Sequence, residues 1–333
     1  LNASIQILKS SYTDYNFDLA PSKGNLTRNI SPSKVSYSYG KQYSKDAFFP
    51  SEIYDAQSPH IVRDFNGQAL WIYPMQYNPV TKVLRVYDSL ELDIQFQSSI
   101  VYPSSMDSQF EMIYEDLFIN YDASQKSSLG NENGGMLIIS DYQFVDQMAD
   151  FMAWKSQKGI SNEIVDIASI GNNQEALKTY IEEYYHSHNL TYVLFVGDHQ
   201  HIPAYLDASL SGYSDNYYGY IEGDDSYPEV FVGRFSAENQ NQVTTQVNRV
   251  IKYEQNPVIS EAYSNSVGVG SSEGPGDDGE YDYQHLRNIR SGLLDYTYTF
   301  GYELYDGSQG GEDAEGNPNA SDLHVLLQEG MGL

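Results

Sequence analysis

Through the first third of the chain, the apolar positions keep the two-residue period of a β-strand. Leu90, Leu92, Ile94 and Phe96 alternate with Glu91, Asp93 and Gln95. The apolar residues 69–73 (ALWIY) precede a second run, residues 77–83, that is broken by an Asn78-Pro79 turn. This strand-turn-strand pattern, with few helical signals, predicts a β-rich domain over residues 1–125. Residues 122–135 (DASQKSSLGNENGG) hold no large apolar residue except Leu129 and read as an exposed linker.

Beyond the linker the period changes. Residues 136–139 (MLII) form a short continuous apolar strand, and Phe144, Met148, Phe151 and Met152 recur at helical spacing up to Gly159, a natural stop. Residues 163–167 predict a second strand. Asn172, with Glu175 three residues on, is expected to cap a helix that runs through Tyr185. Residues 192–196 (YVLFV) and 229–232 (EVFV) predict two more strands, and Val243, Val247, Val250 and Ile251 another helix. A fresh strand, residues 266–270, follows Asn256-Pro257. Strands alternating with helices of this length predict an α/β fold, a parallel sheet with helices on both faces. The expected division is therefore a β-rich domain at 1–125, an α/β subdomain at 126–258, and the start of a second subdomain at 259–333.

Charge and composition narrow the function classes. Eighteen basic residues against 46 acidic ones give a net charge of −28. That charge repels phosphate backbones and anionic lipid, so nucleic acid is excluded as a partner class. It suits a secreted, highly soluble protein, or one that binds hard cations through oxygen ligands. There is no cysteine among the 333 residues, which excludes disulfides, thiolate metal sites and, within these residues, a cysteine nucleophile. No stretch approaches the roughly 20 apolar residues of a membrane helix. The chain opens at Leu-Asn-Ala-Ser with no initiator Met or charged-then-apolar leader, the expectation being a targeting segment removed or never included.

In a parallel α/β sheet, ligands gather at the carboxyl ends of the strands. Asp198 follows the strand VLFVG directly, and the stretch 223–236 (GDDSYPEVFVGRFS) brings Asp225 and Glu229 to a neighbouring strand start, expected beside it. Three carboxylates with the carbonyls of a tight turn are a ligand set for calcium. A solvated acidic loop that keeps the protein soluble accounts for the same residues.

Four segments, 154–160 (WKSQKGI), 190–203 (LTYVLFVGDHQHIP), 214–236 (SDNYYGYIEGDDSYPEVFVGRFS) and 268–285 (GVGSSEGPGDDGEYDYQH), resemble in order and spacing the catalytic domain of the gingipains, the clan CD cysteine peptidases of family C25. The upstream stretch FFPSEIY…VRDFNGQALWIYPMQYNPVTKVLRVY resembles the gingipain propeptide. The resemblance implies a caspase-like, gingipain-type parallel sheet preceded by an all-β propeptide domain. It implies a structural calcium site with Asp198, Asp225 and Glu229 as side-chain ligands and Glu222 and Tyr227 through their carbonyls. Glu280 and His285 match a second calcium-associated region; His285 alternatively contributes only its carbonyl or is a plain helix residue. Glu273, in the Ser-Glu-Gly turn, matches the acid that orients the catalytic histidine, and Asp282 the acid at the floor of the S1 pocket in arginine-specific members. An acid capping a strand end or a helix start accounts equally for both positions.

The family's histidine follows a register that places it about half a dozen residues beyond Leu333, with the cysteine roughly 30 further. The chain is thus expected to be a propeptide with the first part of the catalytic domain, inactive alone. Truncation, nicking with a second chain carrying the rest, and a disordered remainder are all compatible with this. The function implied is a secreted, extracellular or cell-surface cysteine endopeptidase proenzyme, acting on proteins or peptides after a basic residue. Its own propeptide is its first partner. Residues 98–107 are expected to cover the active-site cleft, and activation cleavage to fall near Lys126, the only basic residue between Arg85 and Lys155. The alternative is a non-catalytic, calcium-stabilised surface or binding protein that keeps the fold; Glu273 and Asp282 favour the enzyme, because a scaffold needs neither.

Other motifs add little. Asp198-His199-Gln200-His201 has zinc-like spacing but no cysteine or third histidine nearby. His186 and His188 suit a helix carboxyl end, and the 31 tyrosines are scattered at packing positions.

Overall fold

The computed structural model describes residues 3–26, 30–96, 101–103, 106–125, 131–132, 134–207, 212–275, 279–311 and 317–333. Lys126 and half of the expected inhibitory segment 98–107, namely residues 98–100 and 104–105, lie outside the described residues. The chain divides into two compact units that are not consecutive segments. One comprises residues 1–11, 54–73 and 89–257, the other residues 12–53, 74–88 and 258–333.

The amino-terminal part is built mostly of strands: β1 (Ser4–Asn16), β2 (Tyr54–Val62), β3 (Phe65–Ile72), β4 (Met75–Asn78), β5 (Val83–Gln95), β6 (Met106–Asp107) and β7 (Asn131–Glu132). β2 and β3 form an antiparallel hairpin closed by the two residues Arg63 and Asp64, and β4 pairs with β5 across the predicted Asn-Pro turn. The sequence reading did not include the helix α1 (Glu111–Leu117) in this part. Phe110 and Tyr114, one helical turn apart, are wholly buried and pack with Val62 and Phe65 of the hairpin. That burial stabilises a helix too short to persist alone.

The rest of the first unit is a four-stranded parallel sheet. Its members are β8 (Gly135–Ser140), β9 (Ser161–Asp166), β10 (Leu190–Val196) and β13 (Phe231–Phe235), in the order β13-β10-β8-β9, with a small hairpin, β11 (Tyr205–Asp207) and β12 (Gly212–Ser214), between the last two in sequence. Helices α2 (Ala149–Gln157), α3 (Ile167–Ile170), α4 (Gln174–Ser187) and α5 (Gln240–Gln255) complete it. Asn173, one residue after the predicted cap, accepts from the Ala176 N–H and starts α4. The apolar runs are continuous because both faces are buried. Leu137, Ile139, Val193 and Phe195 face Leu177 and Ile181 of α4, whereas Met136, Ile138, Leu194 and Val196 face Phe151 of α2 and Val243 and Val247 of α5.

In the second unit, β14 (Asn265–Gly270) pairs in parallel with β15 (Phe300–Tyr305), and α6 (Asp282–Tyr296) connects them. A Cβ on Gly270 would sit 2.6 Å from Leu286 Cδ1, so the missing side chain lets α6 pack close to β14. Arg287 of α6 forks onto the buried Glu303 of β15 at 3.0 and 2.8 Å. Helix α7 (Ala320–Glu329) closes the chain, its cap Asn319 accepting from Ser321. Among the described residues, no helix is long and apolar enough to cross a membrane.

One polar cluster ties α2 to α5. Glu254 accepts from Lys155 Nζ at 2.7 Å, Trp154 Nε1 at 2.8 Å and Lys158 Nζ at 2.9 Å. Desolvation raises its carboxyl pKa, but the bonds from Lys155, Lys158 and Trp154 outweigh it and leave the value lowered from 4.5 to about 2. The folded-state value lies below the unfolded one, so the stabilisation is full above the unfolded value and is lost as pH falls towards 2. Glu254→Gln is expected to lower unfolding free energy by about 1–2 kcal/mol at neutral pH, after allowance for the partly solvated pair. Denaturant titrations of both proteins should converge as pH falls from 4.5 to about 2; a gap that persists at the acid end would remove Glu254 as the cause.

Candidate functional site

The acidic loop folds around its own backbone. Asp225 Oδ1 accepts from the Tyr227 N–H at 2.9 Å, while Glu229 Oε2 accepts from Ile221 and Glu222 at 2.7 and 3.0 Å. The remaining oxygens turn to the β2–β3 hairpin: Asp225 Oδ2 accepts from Ile61 N–H at 2.9 Å and Glu229 Oε1 from Arg63 N–H at 3.3 Å. Glu229 is 0% exposed. Desolvation pushes its carboxyl above the ordinary range; the N–H bonds from Glu222, Ile221 and Arg63 oppose this, and the charge of Asp225 adds to it. The Glu222 side chain lies 3.5 Å from His186 Nδ1, and the Tyr227 ring stacks on His60 with centroids 4.2 Å apart.

Asp198 is elsewhere. β10 and β13 run parallel with Tyr192 opposite Phe231 and Val196 opposite Phe235, so Asp198 follows the carboxyl ends of the strands while Asp225 and Glu229 precede their amino ends. The expectation that these acids lie side by side is corrected by this register, which sequence order alone does not give. Asp198 Oδ1 instead accepts from Gln200 N–H at 3.0 Å and stands 4.0 Å from His201 Nε2. His201 Nδ1 is 3.3 Å from Asp141 Oδ2, and the His199 ring lies against Tyr213. Among the described residues, no three acid or histidine side chains gather as a metal site would need. In the loop 222–229, both oxygens of Asp225 and both of Glu229 accept from main-chain N–H groups.

At the same carboxyl ends, Arg234 of β13 does work that the sequence reading did not assign. Its Nε and Nη2 each bond Asp215 at 2.7 Å, and Nη1 donates to the carbonyls of Gly197 and Ile202. One guanidinium thus fixes the loops after β10 and before β13. The Gly-Arg ending of the strand was the available signal.

Glu273 and Asp282 come together in the second unit, just past the carboxyl end of β14. Ser271 Oγ donates to Asp282 Oδ2 at 2.6 Å and accepts from Glu273 N–H at 3.0 Å. The Asp282 N–H in turn donates to the Glu273 carbonyl at 3.0 Å. Gly274 makes the fold-back possible: its φ is +123°, and a Cβ there would lie 2.8 Å from Tyr281 Cα. Asp282 is the first residue of α6, where its charge also complements the helix dipole. Glu273 is exposed, an acid presented to solvent at a strand end. Glu280 and His285 also meet, Oε2 to Nδ1 at 3.2 Å, with Asn288 donating to Glu280 Oε1 at 2.9 Å. Chemically, this edge offers one exposed carboxylate able to accept from an imidazole and one hydroxyl-bonded carboxylate able to receive a cation.

Comparison with known proteins agrees with this architecture. Residues 130–331 match the model of peptidase family C25, and residues 2–129 that of the C25 propeptide. Gingipain R2 of Porphyromonas gingivalis is 37% identical over 303 residues, covering 86% of this chain and 41% of that protein. Lys-gingipain W83 of the same organism is 25% identical over 263 residues, covering 75% and 15%. The crystal structure of the Arg-specific cysteine proteinase gingipain R superposes with a TM-score of 0.52 at 32% identity, covering 60% of this chain and 45% of that one. The chain spans less than half the length of these curated relatives. With both segments matched in order over nearly its whole length, the chain belongs to peptidase family C25 and comprises a C25 propeptide joined to part of a gingipain-like cysteine peptidase domain.

Proposed function

We propose that these residues are the leading part of a secreted or surface-exposed gingipain-like proenzyme whose complete form cleaves peptide bonds after a basic residue. The observation behind this reading is the coupling of Glu273 and Asp282 through Ser271 at the carboxyl end of β14. None of the 333 residues is a cysteine, so the thiolate of the complete enzyme comes from outside them. Glu273 would accept from the catalytic imidazole and hold its orientation and tautomer, the third role in a nucleophile-base-orienter set. Asp282 would pair with the substrate guanidinium through two charge-assisted bonds where an ammonium offers one, which favours arginine over lysine. The relative of known structure is itself described as Arg-specific.

In the complete enzyme, Asp282→Asn is expected to lower kcat/KM for arginine substrates by about 30- to 1000-fold, roughly 2–4 kcal/mol, with little change for an uncharged substrate. Peptide cleavage profiles check this. Indifference to arginine and lysine, or a preference that survives the substitution, would return Asp282 to a helix-start role.

Calcium belongs to the proposal at loop 222–229 only, where a dication would replace some of the N–H partners of the buried Glu229 carboxyl, which desolvation raises, and of the half-buried Asp225, with the carbonyls of Glu222 and Tyr227 as further donors. Melting in EDTA is expected several degrees below melting in millimolar calcium, because ligation to the native state alone stabilises it by mass action. Asp225→Asn should abolish the difference. Equal melting temperatures for the parent chain in the two buffers exclude the ion.

A further inference from the structure

Arg63 sits at the tip of the β2–β3 hairpin, in the propeptide, yet its side chain is 6% exposed. What buries it belongs largely to the peptidase segment. Nη1 donates to the carbonyls of Leu190 at 2.8 Å and Glu229 at 2.6 Å, and Nη2 lies 3.4 Å from Asn189 Oδ1. The Tyr185 ring flanks the guanidinium at 5.5 Å and Phe110, of the propeptide, at 4.9 Å. Asp107, also of the propeptide and fully buried, stands 3.8 Å from Nη2 and accepts from Thr191 Oγ1. The tip is gripped through its backbone as well, Ile61 and Arg63 N–H donating to Asp225 and Glu229.

The arginine holds φ at +47°, a left-handed conformation that glycine or asparagine adopts more readily in a two-residue hairpin turn. Its presence there is offset by what its side chain touches. Leu190 opens β10 and Glu229 precedes β13, so the socket lies at the amino ends of the parallel strands. Ligands of such sheets collect at the other end.

We propose that Arg63 is an anchor that keeps the propeptide seated on the catalytic domain after the chain between them is cut, at a socket separate from the carboxyl-end edge of this sheet. Two parallel attachments follow. Cleavage of the linker removes the covalent one, and the rate at which the propeptide then leaves is set by withdrawal of the guanidinium from its two carbonyls. The inference rests on residues 2–129 being a C25 propeptide and not on the chemistry proposed above.

The test uses the full chain with residues 126–130 replaced by the recognition sequence of a site-specific protease. After cutting, separation of the two fragments is timed by surface capture of a tagged amino terminus. The parent fragments should stay together, and Arg63→Ala should release the propeptide on the order of 100-fold faster, since truncating one side of a buried charge-assisted contact acts on the off-rate. Arg85→Ala, which removes an exposed pair with Asp14 in the same propeptide, should leave the rate unchanged. Release of Arg63→Ala at the parent rate, or immediate separation of the parent fragments, overturns the proposal. Should uncut Arg63→Ala lack the near-ultraviolet circular dichroism of the parent, Arg63→Lys decides. It keeps the charge but offers one ammonium to two carbonyls, and should release roughly 10-fold faster; the parent rate would again overturn the anchor. No catalysis is read, so this outcome is independent of whether the complete protein cleaves peptides.

Discussion

Strand β10 lies between β8 and β13, and the burial of its two faces is the constraint from which the first unit is built. Val193 and Phe195 on one face and Leu194 and Val196 on the other are nearly or wholly removed from water. At about 25 cal/mol per Å² of apolar surface, such a strand repays the ordering of its neighbours only if helices cover both sides. Helices α4 on one face and α2 and α5 on the other supply that cover. The loops that hold Asp198 and Glu229 inherit their positions from the strand ends, and Arg234 from its place in β13.

An acidic protein must keep its buried and half-buried carboxylates supplied with donors, and this one uses two means. Asp215, Glu303 and Glu254 each take a cationic partner: Arg234, Arg287, and the pair Lys155 and Lys158. Glu229 takes backbone N–H groups instead, and these oppose its desolvation without cancelling it. The difference follows from place. The first three join separate segments, where a long basic side chain can reach the carboxylate; Glu229 turns its carboxylate into a tight turn lined by N–H groups, and the nearby Arg63 guanidinium bonds its main-chain carbonyl instead.

Much of this was legible in the sequence, and the failures have definite causes. The helical spacing of Val243 and Val247 survives in α5, where both are buried; residues 90–95 do fall in a strand, β5, but Leu90, Leu92 and Ile94 are only half-buried, Asp93 is as covered as they are, and Phe96 lies exposed beyond the strand end. The strand expected at residues 229–232 begins at Phe231, since Glu229 bends inward to cap its own loop. Placing Asp198 beside Glu229 failed because a sequence gives the order of strands but not which end of a parallel pair a loop occupies. Arg63 was invisible for another reason: between Val62 and Phe65, Arg-Asp reads as a polar turn facing solvent, and nothing local shows that a second segment will bury it. Glu273 and Asp282 were singled out only through resemblance, because alone each is an ordinary acid at a strand end or helix start; what the structure adds is that Ser271 joins them.

The socket of Arg63 is also a ruler. Its two carbonyls come from residues 190 and 229, at the starts of neighbouring strands, and one guanidinium nitrogen spans them only while β10 and β13 hold their native alignment. A one-residue slip would carry one carbonyl about 3.3 Å along the sheet, out of hydrogen-bond reach, and would turn the apolar faces of the strand inside out. Parallel strands pair across long sequence separations and are slow to find their partners. A hairpin that fits only the correctly aligned pair rewards the native register while the sheet is still assembling, and so serves the sheet as a template.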